Sequence, residues 1–96
     1  MPRRVVIKAR FQRAYDRLPA DDQARVKSAL HAFHAFHAYL ASGDAPLGLG
    51  LRKLTSDVYE FRVGLALRVV VVEEREVLAL ALLGSHDEVH RFLRRS

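Results

Sequence analysis

Arg62 and Arg68 flank the segment Val63-Gly64-Leu65-Ala66-Leu67, a spacing that suits a β-hairpin. If Gly64-Leu65-Ala66 is its loop, Val63 pairs with Leu67 and Arg62 stands directly across from Arg68 on one sheet face. Two guanidiniums opposed in this way repel each other unless an anion lies between them. A phosphate would satisfy both, because the planar guanidinium fork matches phosphate oxygens bidentately. Glu60 shares that face two residues before Arg62, so it is the internal alternative to an external anion. A two-residue loop would shift the register and dissolve the pairing. On the preceding strand Arg52 and Lys53 alternate faces, so one of them joins the same cationic surface.

The second constellation is Gly84-Ser85-His86-Asp87-Glu88-Val89-His90-Arg91. On a helix His86 and His90, four residues apart, face the same way. Histidine is the side chain suited to exchanging protons near neutral pH, so the pair offers an acid and a base. The plainer alternative is a solvated helix start, with Asp87 and Glu88 in the first turn. A third feature is the triplet run His31-Ala-Phe-His34-Ala-Phe-His37. A period of three on a helix turns each successive histidine back by about 60°. His31 then lies opposite the apolar stripe, His34 on its flank and His37 near its edge, so no common metal-binding face forms. The serines stand in no nucleophile-elbow context, and no phosphate-loop or dinucleotide glycine pattern occurs. Neither a metal nor a cofactor is expected.

These residues need elements to hold them. Val5, Ile7 and Ala9 alternate with Arg4, Val6 and Lys8, the period of a half-buried strand. Phe11, Ala14, Tyr15 and Leu18 then fall on one face of a short helix that carries Arg10, Arg13 and Arg17 outward. Pro19 closes it and opens a second helix, from about Ala20 to Leu40, with Asp21 and Asp22 in the first turn. Its buried stripe is Val26, Ala29, Leu30, Phe33, Phe36 and Leu40, and Ser42-Gly43-Asp44 with Pro46, Gly48 and Gly50 ends it. Strands follow at Leu49–Leu54, Val58–Val63, Leu67–Val72 and Val77–Leu83, joined by intervals short enough for consecutive antiparallel hairpins. The last two are apolar almost throughout, as strands covered on both faces are. Ser85 is placed to cap a terminal helix over His86–Arg95. The order β-α-α-β-β-β-β-α predicts an α+β fold in which two N-terminal helices and a short C-terminal helix gather against an antiparallel sheet.

Ninety-six residues make one domain, 1–96, and half of them are apolar, enough for a single core. Sixteen basic residues, thirteen of them arginine, against eleven acidic ones give a formal charge of +5, which favours polyanionic partners. The absence of cysteine excludes disulfides and thiolate metal sites. The longest apolar run, Val77 to Leu83, is too short to cross a bilayer, so the expectation is a cytoplasmic protein with no membrane partner.

Several motifs, in order, carry a likeness that extends over nearly the whole chain. They are Phe11…Tyr15…Leu18-Pro19, Gly50-Leu51-Arg52-Lys53-Leu54, Tyr59-Glu60-Phe61-Arg62-Val63-Gly64, Leu67-Arg68-Val69-Val70-Val71 and the closing Gly84 to Arg91. Together they resemble the RelE/ParE superfamily of bacterial toxin–antitoxin toxins. The resemblance implies a small microbial-ribonuclease-like fold, with helices on one face of a twisted sheet, and a cognate antitoxin that wraps the toxin. RelE-like members cleave messenger RNA in the ribosomal A site without metal, by attack of the 2′-hydroxyl on the adjacent phosphate; ParE-like members inhibit DNA gyrase. On that basis Arg62 and Arg68 match the arginines of the family's central strands, and Arg52 with Lys53 its basic, substrate-binding strand. Where RelE-like sequences place an arginine and, four residues on, a tyrosine, this chain has His86 and His90. Two histidines would serve as acid and base, with Glu60 a further base candidate; alternatively, their presence marks a toxin that has lost cleavage. Three functions therefore stand open: ribosome-dependent endoribonuclease, gyrase-binding toxin, and decayed toxin that survives as a binding partner.

Overall fold

The computed structural model describes residues 4–40, 52–55, 57–75 and 77–95; along 34–40 and at Arg52 and Lys53 it describes the backbone course alone. The elements are β1 (Arg4–Ile7), α1 (Ala9–Asp16), α2 (Ala20–Leu40), β2 (Arg52–Lys53), β3 (Val58–Val63), β4 (Leu67–Glu74), β5 (Val77–Gly84) and α3 (His86–Arg94). The expected strand start at 49–51, the helix-stop residues from Ser42 to Gly50, and the side chains of His34, Phe36, His37 and Leu40 lie outside the described residues.

The five strands lie in the order β1-β5-β4-β3-β2. Short loops make β2 through β5 antiparallel, as expected, but β1 pairs with β5 in parallel, Val5 opposite Leu78 and Ile7 opposite Leu80. The sheet is therefore mixed, which corrects the antiparallel expectation. The cause is the α1–α2 crossover, which carries the chain to the far edge; the meander then returns strand by strand and ends beside β1 running the same way.

Two apolar layers sandwich the sheet. On one face Phe11, Val26 and Phe33 of α1 and α2 pack on Phe61, Val63, Val69, Val71, Leu78, Leu80 and Leu83. The rings of Phe33 and Phe61 stack with centroids 5.3 Å apart. On the other, Val89 of α3 packs on Val70 and Leu82, with Phe92 and Leu93 against them. Helices thus cover both faces, not one, because β4 and β5 have apolar side chains on each side and both must be removed from water. A register shift makes this possible in β5. Val70 pairs with Leu82 but Val71 with Leu80, so Ala81 is extra and puts Leu80 and Leu83 on the same face.

Two departures concern strand ends. β4 continues to Glu74, which pairs with Val77, and Arg75 takes a positive φ of 51°, so the strands run further into the charged tip expected from Glu73 to Glu76. In β1, Val5 and Ile7 remain 45% and 50% exposed. They sit at the sheet edge, bordering an open seam with Leu30 and Phe33 of α2, and Ala9 belongs to α1 instead of the strand.

Candidate functional site: an arginine row beside a histidine pair

The β3–β4 hairpin is built as its loop composition requires. Gly64 holds φ +65°, a left-handed conformation open to glycine at little cost, and Gly64-Leu65-Ala66 turns the chain. The resulting register sets Val63 opposite Leu67 and Arg62 opposite Arg68. On the next strand Arg68 pairs with Gly84, so Arg62, Arg68 and Gly84 form one row across three strands. Ser85 and α3 follow at once.

The two arginines have different surroundings. Arg68 donates from Nη1 to Glu60 Oε1 at 2.6 Å, with side-chain exposures of 20% and 7%. Glu60 faces Val70 and so sits diagonal to Arg68, within reach of a long side chain. The internal counter-charge anticipated for this face is therefore in place, and it serves Arg68. Arg62 is exposed, borders a shallow depression with Arg25 and Ser28 of α2, and makes no ion pair among the described residues. The backbone register sets Arg52 opposite Glu60 and Lys53 opposite Tyr59, which puts Arg52 in line with the Glu60 row.

α3 begins with a capping box: the Ser85 hydroxyl accepts from Glu88 N, and the Glu88 carboxylate accepts from Ser85 N. Glu88 also explains Gly84, since a Cβ there would lie 2.9 Å from the Glu88 carboxyl group. With Val89, Phe92 and Leu93 turned to the sheet, His86 and His90 lie on one flank, both exposed, their rings edge to face with centroids 4.2 Å apart. No hydrogen bond joins either imidazole to Glu60 or Arg68 among the described residues. The arrangement offers one free cation, one clamped cation and two proton-exchanging groups at the same end of the sheet. His31 is exposed on α2, and no cluster of three metal-capable side chains occurs among the described residues.

The arginines read from the sequence as outward charges are organised further. Arg10 and Arg13 of α1, with its C-cap Arg17, face Arg91 of α3 and its C-cap Arg95 across a cleft of about 310 Å³. The i, i+3, i+7 spacing on α1 was the available signal; that α3 would close the other side was not readable from spacing.

No family model matches the chain, and neither does any curated protein. Among solved structures, a copper-bound mutant toxin from Helicobacter pylori aligns with it at 18% identity, over 91% of this chain and 98% of that one, with a TM-score of 0.53. This chain has that toxin's fold. The likeness supports the α+β architecture. No helix among the described residues is long and apolar enough to cross a membrane.

Proposed function

We propose that the chain is the toxin of a type II toxin–antitoxin module, of the RelE/ParE type, and that it cleaves messenger RNA on the ribosome without metal. It acts in the cytoplasm and is neutralised by a cognate antitoxin protein. The observation that carries this reading is the exposed Arg62, in register with Arg68 and Gly84, beside a helix that opens with His86 and presents His90 on the same flank. The fold shared with a bacterial toxin supports it.

In the reaction, Arg62 neutralises the scissile phosphate, and Arg68, held by Glu60, positions it from the next strand. One imidazole of the His86–His90 pair takes the proton of the RNA 2′-hydroxyl as that oxygen bonds to phosphorus. The bond to the 5′-oxygen breaks, and the other imidazole, protonated, gives its proton to that leaving oxygen. The products are a 2′,3′-cyclic phosphate and a 5′-hydroxyl. Each proton transfer contributes about 10²- to 10⁴-fold in rate. A site with so few groups gains from the ribosome orienting the RNA, because positioning removes much of the entropic barrier. Arg52 and Lys53 bind the flanking backbone.

One observation favours a second reading. Arg68 already has its counter-charge, so a toxin that binds gyrase without cleaving RNA accounts equally well for that pair. One experiment separates the two: expression of the chain alone, with messenger 5′ ends mapped and supercoiling assayed in the same cells. The nuclease reading expects new 5′ ends and normal supercoiling. Relaxed plasmid with intact messengers means gyrase, and unaffected growth means a decayed toxin.

A further inference from the structure

The α1–α3 cleft lies apart from the arginine row. On α3, Arg91 and Arg95 fall roughly 140° around the helix from His86 and His90, on the opposite flank. Five guanidiniums meet there against one carboxylate, an excess nearly equal to the formal +5 of the entire chain. The carboxylate, Glu88, is engaged in the capping box. None of the five arginines is ion-paired among the described residues.

Helix dipoles do not explain the cluster. Cations stabilise helix C-termini, which accounts for Arg13, Arg91 and Arg95. Arg10 lies in the first turn of α1, where the dipole disfavours a cation and no acid accompanies it. The pairs Arg13/Arg17 and Arg91/Arg95 are i, i+4 like charges, each unfavourable by itself. Such a self-repelling arrangement is relieved by a bound polyanion.

We propose that this cleft binds the phosphate backbone of single-stranded RNA, as a second contact outside the cleavage site; naming RNA rests on the nuclease reading above. The α1 stripe extends about 10 Å along the helix, a linear array suited to successive phosphates. Phe92 lies in the lining but packs on the sheet, so the contacts the cleft offers go to phosphates and carry no base preference. An acidic amphipathic peptide fits less well. The floor residues Leu82 and Leu83 are already 5% and 3% exposed, so a peptide's apolar stripe gains nothing by covering them.

The test is fluorescence anisotropy with a short 2′-O-methyl oligoribonucleotide, which keeps the phosphates but lacks the attacking hydroxyl. The wild-type chain, an Arg10→Gln/Arg13→Gln/Arg17→Gln variant and a His86→Ala/His90→Ala variant are compared across about 50 to 200 mM salt. The triple variant is expected to bind tenfold or more weakly, with a salt slope shallower by about 2, since each lost phosphate contact removes about 0.7. The histidine variant reports how much the cleavage site adds to binding, and cleavage of unmodified messenger on ribosomes by the wild-type chain, followed in parallel, shows failure of the cleavage reading separately. Undiminished binding by the triple variant, with its helical circular dichroism intact, overturns the proposal. So does polyglutamate displacing the RNA at equal charge concentration.

Discussion

Glu60 and Arg68 show how one contact divides between structure and chemistry. A carboxylate 7% exposed and a guanidinium 20% exposed, joined at 2.6 Å, are costly to separate, because the survivor keeps its desolvation penalty without its partner. Glu60→Ala is expected to lower the unfolding free energy by about 3 kcal/mol in chemical denaturation, and Glu60→Met/Arg68→Met to recover much of that loss. The Arg62–Arg68 opposition was legible in the sequence because a three-residue loop fixes register by counting. Which arginine Glu60 would choose was not legible: Glu60 shares a strand face with one and is diagonal to the other, and burial beside Val70 decides for Arg68.

At the scale of elements, hydrophobic period located every described helix and strand, and Ser85 marked the start of α3 correctly. The parallel β1–β5 pairing and the placement of α3 on the opposite face were not legible. Both depend on where a crossover delivers the chain and on a bulge at Ala81, neither of which leaves a local pattern. The exposure of Val5 and Ile7 has the same origin, since alternation gives a strand's faces and not whether a helix covers them. The junction between β5 and α3 permits a direct check. In Gly84→Ala the new Cβ displaces the Glu88 side chain and breaks half of the capping box. The expected cost is about 1 kcal/mol, read as a lower thermal midpoint, with the loss much reduced when Glu88→Ala is already present.

Taken as a whole molecule, the chain has a sheet covered on both faces and, among the described residues, basic charge gathered at the Arg62 row and at the α1–α3 cleft. The anticipation of a polyanionic partner followed from thirteen arginines in ninety-six residues; that seven of them gather at these two places required the fold. In the proposed mechanism the histidine pair is what distinguishes cleavage from mere binding. The most direct measurement is cleavage of messenger RNA on purified, programmed ribosomes by the wild-type chain and by His86→Ala/His90→Ala, with the new RNA ends identified. The wild type is expected to leave 2′,3′-cyclic phosphate and 5′-hydroxyl ends, and the variant, which still folds, to lose about a hundredfold or more in rate. Intact messenger with the wild type, or equal cleavage by both proteins, would contradict the proposed mechanism.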